Sequence, residues 1–507
     1  MRKLTRISVI LLAFVLLLSA CASAQDRALN LSILAALTTL NPLDSNNLQD
    51  TMFLQQMNDG LFHVNEVTRE VEPRLAESWE VSEDGMSITF KIRSGAKFHN
   101  GDTVKASDAV YSFEFAMNSP RIKTYYSAIE SVEAPDDSTF IVHLKAPNAT
   151  FFSTLSNHNY VVSQREMEEQ GEAFGTKMHA GSAGPYKLTR LDGLDSYWEV
   201  EAFEDYWDGP PAIKKVTYKP ITQSSAGLIA FESGELDWYI APIANWAALE
   251  ANRNINSELV TANHQTYVIL NHNNAELQDD NLRKAIAYAI DKDACNIIAY
   301  DGYAEIADYM YNPNLNIAAP THDVVYSYNP ELAKEYLAKS SMPNGGKLSG
   351  AIQCSAGGYF ERLAVVIQQN LADIGLHIEV TPMQSATNMD IMRANNHFMG
   401  VSGGTCTGDY DGIRIWYHSE SAGTSFAKLN TGGKFDYKWI DEMLEAGAAN
   451  SDVEEREKIY AELDAYVMEG AVYLPIFHRP QPYVWSKDLN IPVNYPNYPR
   501  VYEWSWK

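Results

Sequence analysis

The sequence predicts a mixed α/β protein of two or three domains, one of them rich in β-structure, and three observations carry this reading. Leu363, Ile367, Leu371 and Ile374 recur at helical spacing, Gly375 ends the run, and Leu376, Ile378 and Val380 then alternate, so helix, glycine and strand follow one another as in α/β units. Between Leu75 and Phe98 the pattern is instead short and alternating, with Ile88, Phe90 and Ile92 set against Thr89, Lys91 and Arg93. The chain beyond its leader, about 480 of 507 residues, suits two or three domains at roughly 100 to 200 residues each.

The first residues read as an export signal. Arg2, Lys3 and Arg6 precede an apolar stretch from Ile7 to Leu18, which is 12 residues long and too short for a permanent membrane span. Two processing sites compete after it. Leu18-Ser19-Ala20-Cys21 resembles a lipobox, and Ala22-Ser23-Ala24 before Gln25 fits an ordinary cleavage site. The lipobox is preferred, because a cysteine directly after the apolar core is otherwise unexplained. Residues 1-24 are thus assigned to the signal segment, and a lipid on Cys21 would anchor the mature domain without a spanning helix.

The formal charge is −26, and the leader holds three cations and no acids, so the remainder is more acidic still. Such a surface repels phosphate backbones and excludes nucleic acid as a partner; otherwise it speaks chiefly for solubility. Cys295, Cys354 and Cys406 form no CxxC pair and no zinc spacing. An oxidising compartment would allow one disulfide, with three pairings open.

Along the chain, Phe140, Val142 and Leu144 alternate after Asp136-Asp137 and extend the β-rich region. Leu282, Ala285, Ile286, Ala289 and Ile290 predict an amphipathic helix over Asn281 to Tyr300, capped by Asp279-Asp280. Ser451 and Glu454 predict a capping box for a helix that runs through Ile459, Leu463, Tyr466 and Val467 to Gly470. Ala471 to Phe477 reads as a buried strand. No repeat or low-complexity linker interrupts the chain, so its domains must be joined by ordered crossings.

The sequence offers no catalytic frame. There is no GxSxG and no HExxH, and Gly432-Gly433-Lys434 continues with Phe435 and so fails as a phosphate loop. The twelve histidines are scattered, and the pair His264 and His272 lies in an Asn-rich stretch without metal spacing. These features argue against an enzyme, a metal and any cofactor.

Ordered blocks resemble the extracellular solute-binding proteins of family 5, which serve oligopeptide, dipeptide and nickel importers. The most specific is Leu75-Ala76-Glu77-Ser78-Trp79, followed by Asp84-Gly85, Thr89 to Arg93, Gly95-Ala96-Lys97-Phe98-His99-Asn100-Gly101 and Ala106-Ser107-Asp108-Ala109-Val110. Gly184-Pro185-Tyr186, Tyr206-Trp207-Asp208-Gly209, Gly234-Glu235-Leu236-Asp237, Leu282 to Lys292, Tyr328 to Lys334 and Arg456 to Tyr460 follow in the family's order. The resemblance implies a type II periplasmic-binding-protein fold in which two lobes close on a ligand. Lobe one would comprise 25-64, 182-267 and 478-507, with an extra β-rich subdomain at 65-181; lobe two would comprise 268-477. The crossings, near Tyr267 and His478, would be the hinge.

The same resemblance implies peptide capture. Asp409, in Gly403-Gly404-Thr405-Cys406-Thr407-Gly408-Asp409-Tyr410, matches the aspartate that pairs with a ligand's amino terminus. A carboxylate in a closed cleft needs a cation, and an ammonium would supply it. Asp411-Gly412 departs from the family's local pattern. Arg362 falls where dipeptide-binding relatives hold the ligand carboxylate, a role that suits a guanidinium. Leu37-Thr38-Thr39-Leu40-Asn41-Pro42 resembles the segment that bonds an extended ligand as an added strand. Gly404, Thr405 and Tyr410 complete the second-lobe wall, and Trp416 and Tyr359 are candidates for side-chain pockets.

The implied partners are a peptide, membrane permease subunits and separate ATPase subunits, with the binding protein itself a monomer outside the cytoplasmic membrane. Nothing in this chain binds ATP. The alternatives are an oligosaccharide or another non-peptide solute on the same fold, or a surface receptor lipoprotein without a transport role.

Overall fold

A computed structural model describes residues 27–311, 321–405, 409–419 and 435–507. The expected leader 1–24 with Cys21, and Cys406, lie outside the described residues.

Buried aliphatic runs build a central sheet. The chain enters it at β1 (Leu29–Ile33) and turns into α1 (Leu48–Met57), whose N-terminal amides of Gln49 and Asp50 donate to the Asn47 side chain. It then leaves for a separate antiparallel sheet of β2 (Ala76–Val81), β3 (Ser87–Ile92), β4 (Ile129–Asp136) and β5 (Thr139–Leu144), ordered β2-β3-β5-β4. Ile88, Phe90 and Ile92 face inward with Phe140, Val142 and Leu144, so the alternation in the sequence is this sheet's buried face. Helix α2 (Ala106–Asn118) covers it, with Phe113 edge-on to Phe140 at 5.0 Å.

The chain returns through β6 (Tyr186–Leu191), β7 (Trp198–Ala202), β8 (Lys215–Pro220), β9 (Trp238–Ile240) and β10 (Ile255–Leu270). Helices α3 (Asp280–Ala289) and α4 (Lys292–Tyr300) follow, then β11 (Gly346–Ser355), α5 (Tyr359–Asp373), β12 (Leu376–Met383) and β13 (Met399–Thr405). Helix α6 (Val453–Glu469) and β14 (Tyr473–Ser486) complete the frame. The strands run β12-β11-β13-β10-β14-β9-β1-β8-β7-β6, and the short strand Glu305–Ile306 pairs with β14 off this path.

The two longest strands, β10 and β14, tie the halves of this sheet together. On one side β14 pairs with β9 through Trp238 opposite Trp485; on the other, β10 pairs with β13 through Val268 opposite Val401. Their mutual ladder breaks midway: Thr261 faces Pro480 and Gln265 faces His478, so Ala262, Asn263 and His264 stand opposite the single residue Arg479. Pro475, Pro480 and Pro482 have no amide to donate, which weakens the ladder further. Separate apolar cores flank the break. One holds Phe53, Trp198, Tyr218 and Trp238; the other holds Leu282, Ile286, Leu363 and Ile367.

Four sequence expectations shift. The helix expected over Asn281 to Tyr300 is two helices, because Ile290 is extended and Asp291 caps the second by accepting from the Ala294 amide. The cap of α6 is Asp452, not Ser451: it accepts from Glu454 and Glu455 at 2.9 and 3.2 Å. Asp452→Ala should therefore lower stability by about 1 kcal/mol, and Ser451→Ala by much less, in urea unfolding of both variants. The strand expected to end at Phe477 continues to Ser486. Gly470 keeps right-handed helical backbone, and the positive φ of 48° falls on Ala471. What requires glycine at 470 is space, since a Cβ there would sit 2.0 Å from Phe435 Cζ.

Cys295 and Cys354 are free and buried, so a disulfide between these two is excluded. Burial pushes the Cys354 thiol up to about 11 and that of Cys295 higher, leaving both unreactive.

Candidate ligand site

Polar side chains gather where the β10–β14 ladder breaks. Gln265 and Thr266 on β10 are fully buried and His478 on β14 nearly so. Tyr300, at the end of α4, and Tyr359, at the start of α5, meet with ring centroids 4.9 Å apart, and Tyr300 packs edge-on to Phe477 at 5.3 Å. The Tyr359 hydroxyl lies beside those of Tyr300 and Thr266. Gln265 Oε1 and His478 Nδ1 are buried without a hydrogen bond among the described residues. Each such atom costs roughly 1 to 3 kcal/mol unless a further group reaches it.

The electrostatics are one-sided. Arg479 is half-buried and its Nη2 donates to Gln481 Oε1 at 3.2 Å; no carboxylate among the described residues pairs with it. Burial, then the Arg479 charge, pushes His264 down to about 3, and burial alone takes His478 to about 3, so both rings are neutral.

A strand edge opens nearby. One edge of β13 is paired with β10 along its whole length, from Met399 opposite Leu270 to Thr405 opposite His264. The other edge pairs with β11 only at Met399 and Gly400, so among the described residues Val401 to Thr405 offer unpaired main chain. The parallel strands β11 and β13 both end here, at Ser355 and Thr405, and α5 begins beside them. The carboxyl ends of parallel strands are where open α/β sheets bind ligands.

Gly404 and Thr405 lie on this open edge. A Cβ on Gly404 would press on the Trp416 ring at 3.3 Å, and one on Gly403 would lie 2.4 Å from His264 Cε1, so Gly403 leaves room for that ring. Trp416 is only 3% exposed and stands edge-on to Tyr267 at 5.7 Å, so it supports the wall from behind. Tyr410 is fully buried beside Tyr311 and Tyr460 and belongs to the core. Tyr359 alone of the expected aromatics joins the polar cluster.

Asp409 already has a cation. Its Oδ1 accepts from Arg456 Nη2 at 2.6 Å and from the Asp411 amide at 2.8 Å, whereas Oδ2 has no hydrogen bond to a described residue. Asp411 is held by Arg414 Nε at 2.6 Å and by the Tyr460 hydroxyl at 2.7 Å. Arg362 donates to the carbonyls of Ile298 and Ala299 at 3.2 and 3.1 Å and so caps the C-terminus of α4. Along the Leu37–Pro42 segment, the amides of Leu37, Thr38, Leu40 and Asn41 are engaged by Leu194 O, Asp50 Oδ1, Gly175 O and Thr39 Oγ1. An added strand would find those donors taken.

Sequence does not single out Arg479, Tyr300 or Thr266, and offers His264 only in a pair without metal spacing and Arg456 only within a family block. One signal was present: an arginine within the apolar, proline-broken run from Leu474 to Val484 needs a reason to be there. Among the described residues no three His, Cys, Asp or Glu side chains are placed to hold a metal ion, and no helix is long and apolar enough to cross a membrane.

The sequence profile of the bacterial extracellular solute-binding proteins, family 5, matches residues 70–424. The glutathione-binding protein GsiB of Escherichia coli is 25% identical over 495 residues, covering 93% of each chain. The oligopeptide-binding protein AppA of Bacillus subtilis, solved with a nonapeptide, superposes with a TM-score of 0.81 at 20% identity, covering 95% of this chain and 99% of that one. NikA of Brucella suis, solved with Fe(III)-EDTA, gives 0.82 at 24% identity over 95% of this chain and all of its own. The expected type II arrangement, two lobes with a β-rich subdomain in the first, is the fold these structures share with it.

Proposed function

The chain belongs to the bacterial extracellular solute-binding proteins of family 5, and from that premise we propose that it captures short peptides between its lobes for delivery to a membrane permease. The observation that carries the word peptide is the open edge of β13 from Val401 to Thr405. Unpaired main chain beside a buried polar cluster recognises another main chain, whatever its side chains. The glutathione-binding relative and the nonapeptide-bearing neighbour support the same ligand class. Solute-binding proteins of importers are not enzymes.

In this reading lobe one comprises 25-64, 182-267 and 478-507, with its subdomain at 65-181, and lobe two comprises 268-477. Closure bends β10 and β14 at the broken ladder around Asn263 and Arg479. Asp409 Oδ2 takes the ligand ammonium while Arg456 holds Oδ1. Gly404 and Thr405 bond the ligand main chain. On the first-lobe side Ala35 and Ala36, which make no main-chain hydrogen bond to a described residue, take the place of Leu37 and Thr38. Cys21 carries the lipid that keeps the monomer at the outer face of the membrane, beside a permease driven by separate ATPase subunits.

Native mass spectrometry of the purified protein tests the ligand class directly. A released solute with a peptide fragmentation series is expected; a released sugar or metal chelate would overturn the proposal. Asp409→Ala should weaken affinity for a bound peptide by about tenfold or more in calorimetry. Unchanged affinity would confine Asp409 to its pair with Arg456.

A further inference from the structure

Within the proposed capture of a peptide at the strand crossing, we infer that Arg479 is the specificity residue that selects ligands with a free carboxylate. Arg479 stands alone against the three-residue bulge of β10, at the point where the two lobes' shared strands lose their pairing. Among the described residues its hydrogen bond is to the neutral amide of Gln481. A half-buried guanidinium keeps four further N–H donors that water in a closing cleft does not satisfy well.

The surroundings favour an anion over any other occupant. Tyr300, Tyr359 and Thr266 bring three hydroxyl groups to one point, and Arg479 is close enough to act electrostatically on both tyrosines. Hydroxyls can turn to donate, and a carboxylate is acceptor-only with about four lone-pair sites. His264 and His478 are neutral, so they add no second cation that would draw in a doubly charged group such as phosphate. Among the described residues Arg479 has no acidic partner, whereas Arg456, Arg414 and Arg283 each have one. The charge at the crossing is therefore left for the ligand.

This differs from an anchor at Arg362, whose guanidinium holds the α4 carbonyls. It also sets the ligand's polarity: the ammonium end lies toward Asp409 on the second lobe and the carboxylate end toward β14.

A mass-encoded library of two- to four-residue peptides, each present as free acid and as C-terminal amide, tests this on the full chain by native mass spectrometry. The wild type should retain free acids over their amides by about tenfold or more, Arg479→Ala should lose that preference, and Arg479→Lys should keep part of it. Equal retention of acids and amides by the wild type would overturn the inference and leave peptide capture standing. Retention of neither series would overturn peptide capture and, with it, the inference. Because the acid-to-amide comparison is made on the wild type, it does not depend on how well the variants fold; thermal melts of both variants check that separately.

Discussion

Arg456→Ala is expected to lower unfolding free energy by about 3 to 5 kcal/mol, the range for removing one partner of a buried ion pair. The Arg456 side chain is 7% exposed and that of Asp409 13%, so neither charge is screened by water. The guanidinium does three things at once: Nη2 donates to Asp409, Nε donates to Gly447 O at 3.0 Å, and its carbon lies 5.7 Å from the ring centroids of Tyr410 and Tyr460. Alanine would leave a buried carboxylate without a cation and a carbonyl without a donor. Urea unfolding of Arg456→Ala, Asp409→Ala and the double variant forms a closed cycle. The double variant should recover part of the loss, because the stranded charge is gone. A change under about 1 kcal/mol for Arg456→Ala would show the pair to be solvated and would restore Asp409 as an unpaired anchor. The cycle bears on function as well. If a ligand ammonium shares Asp409 with Arg456, added peptide should raise the stability of the Arg456→Ala variant more than that of the wild type.

Much of the frame could be read before the structure was seen, because periodicity reports burial directly. Ile88, Phe90 and Ile92 line the inner face of β3, and Leu363, Ile367 and Leu371 are fully buried on α5. The reading failed where a local signal competed with a tertiary one. Prolines at 475, 480 and 482 argue against a central strand, yet β14 runs through all three, because a bulged ladder does not require every amide. Asp291 inside an amphipathic pattern is a start signal that was read as part of one helix. Ser451 and Asp452 are both good caps, and only geometry chooses between them.

The site was less legible, for a physical reason. Family resemblance pointed to positions, but what a side chain does at a position depends on who else reaches it. Arg362 is drawn to the carbonyl end of α4 only because α5 packs on α4, a contact that sequence does not state. Asp409 is paired through a residue 47 positions away. Arg479 becomes a candidate because β10 bulges opposite it, and the bulge is a property of two strands together.

Acid should destabilise this protein already above the usual carboxylate range, because several histidines are buried neutral. Burial pushes His397 down to about 4, His478 to about 3 and His179 to about 4, the last partly offset by a hydrogen bond to the Leu40 main chain. All three are at most 6% exposed. A histidine whose folded pKa lies below its unfolded value near 6.5 binds more protons when unfolded, so its contribution is complete above pH 6.5 and is lost as pH falls toward the folded value. At pH 5 each has lost about 2 kcal/mol, or about 6 for the three. Glu66 works in the opposite direction: burial raises it to about 7 against the pull of Arg69 and Arg500, so it favours the folded state as pH falls through 7, by about 2 kcal/mol at pH 5. The histidines win, with His99 and His158, also pushed down to about 4, on the same side. Unfolding free energy should therefore be lower at pH 5 than at pH 7.5 by about 4 kcal/mol or more, a large part of a typical total of roughly 5 to 15. Urea titrations at the two pH values measure it, and equal stability would overturn the assignment of neutral buried rings. Glu66→Gln removes the opposing group and should steepen the loss, whereas His397→Gln should lessen it.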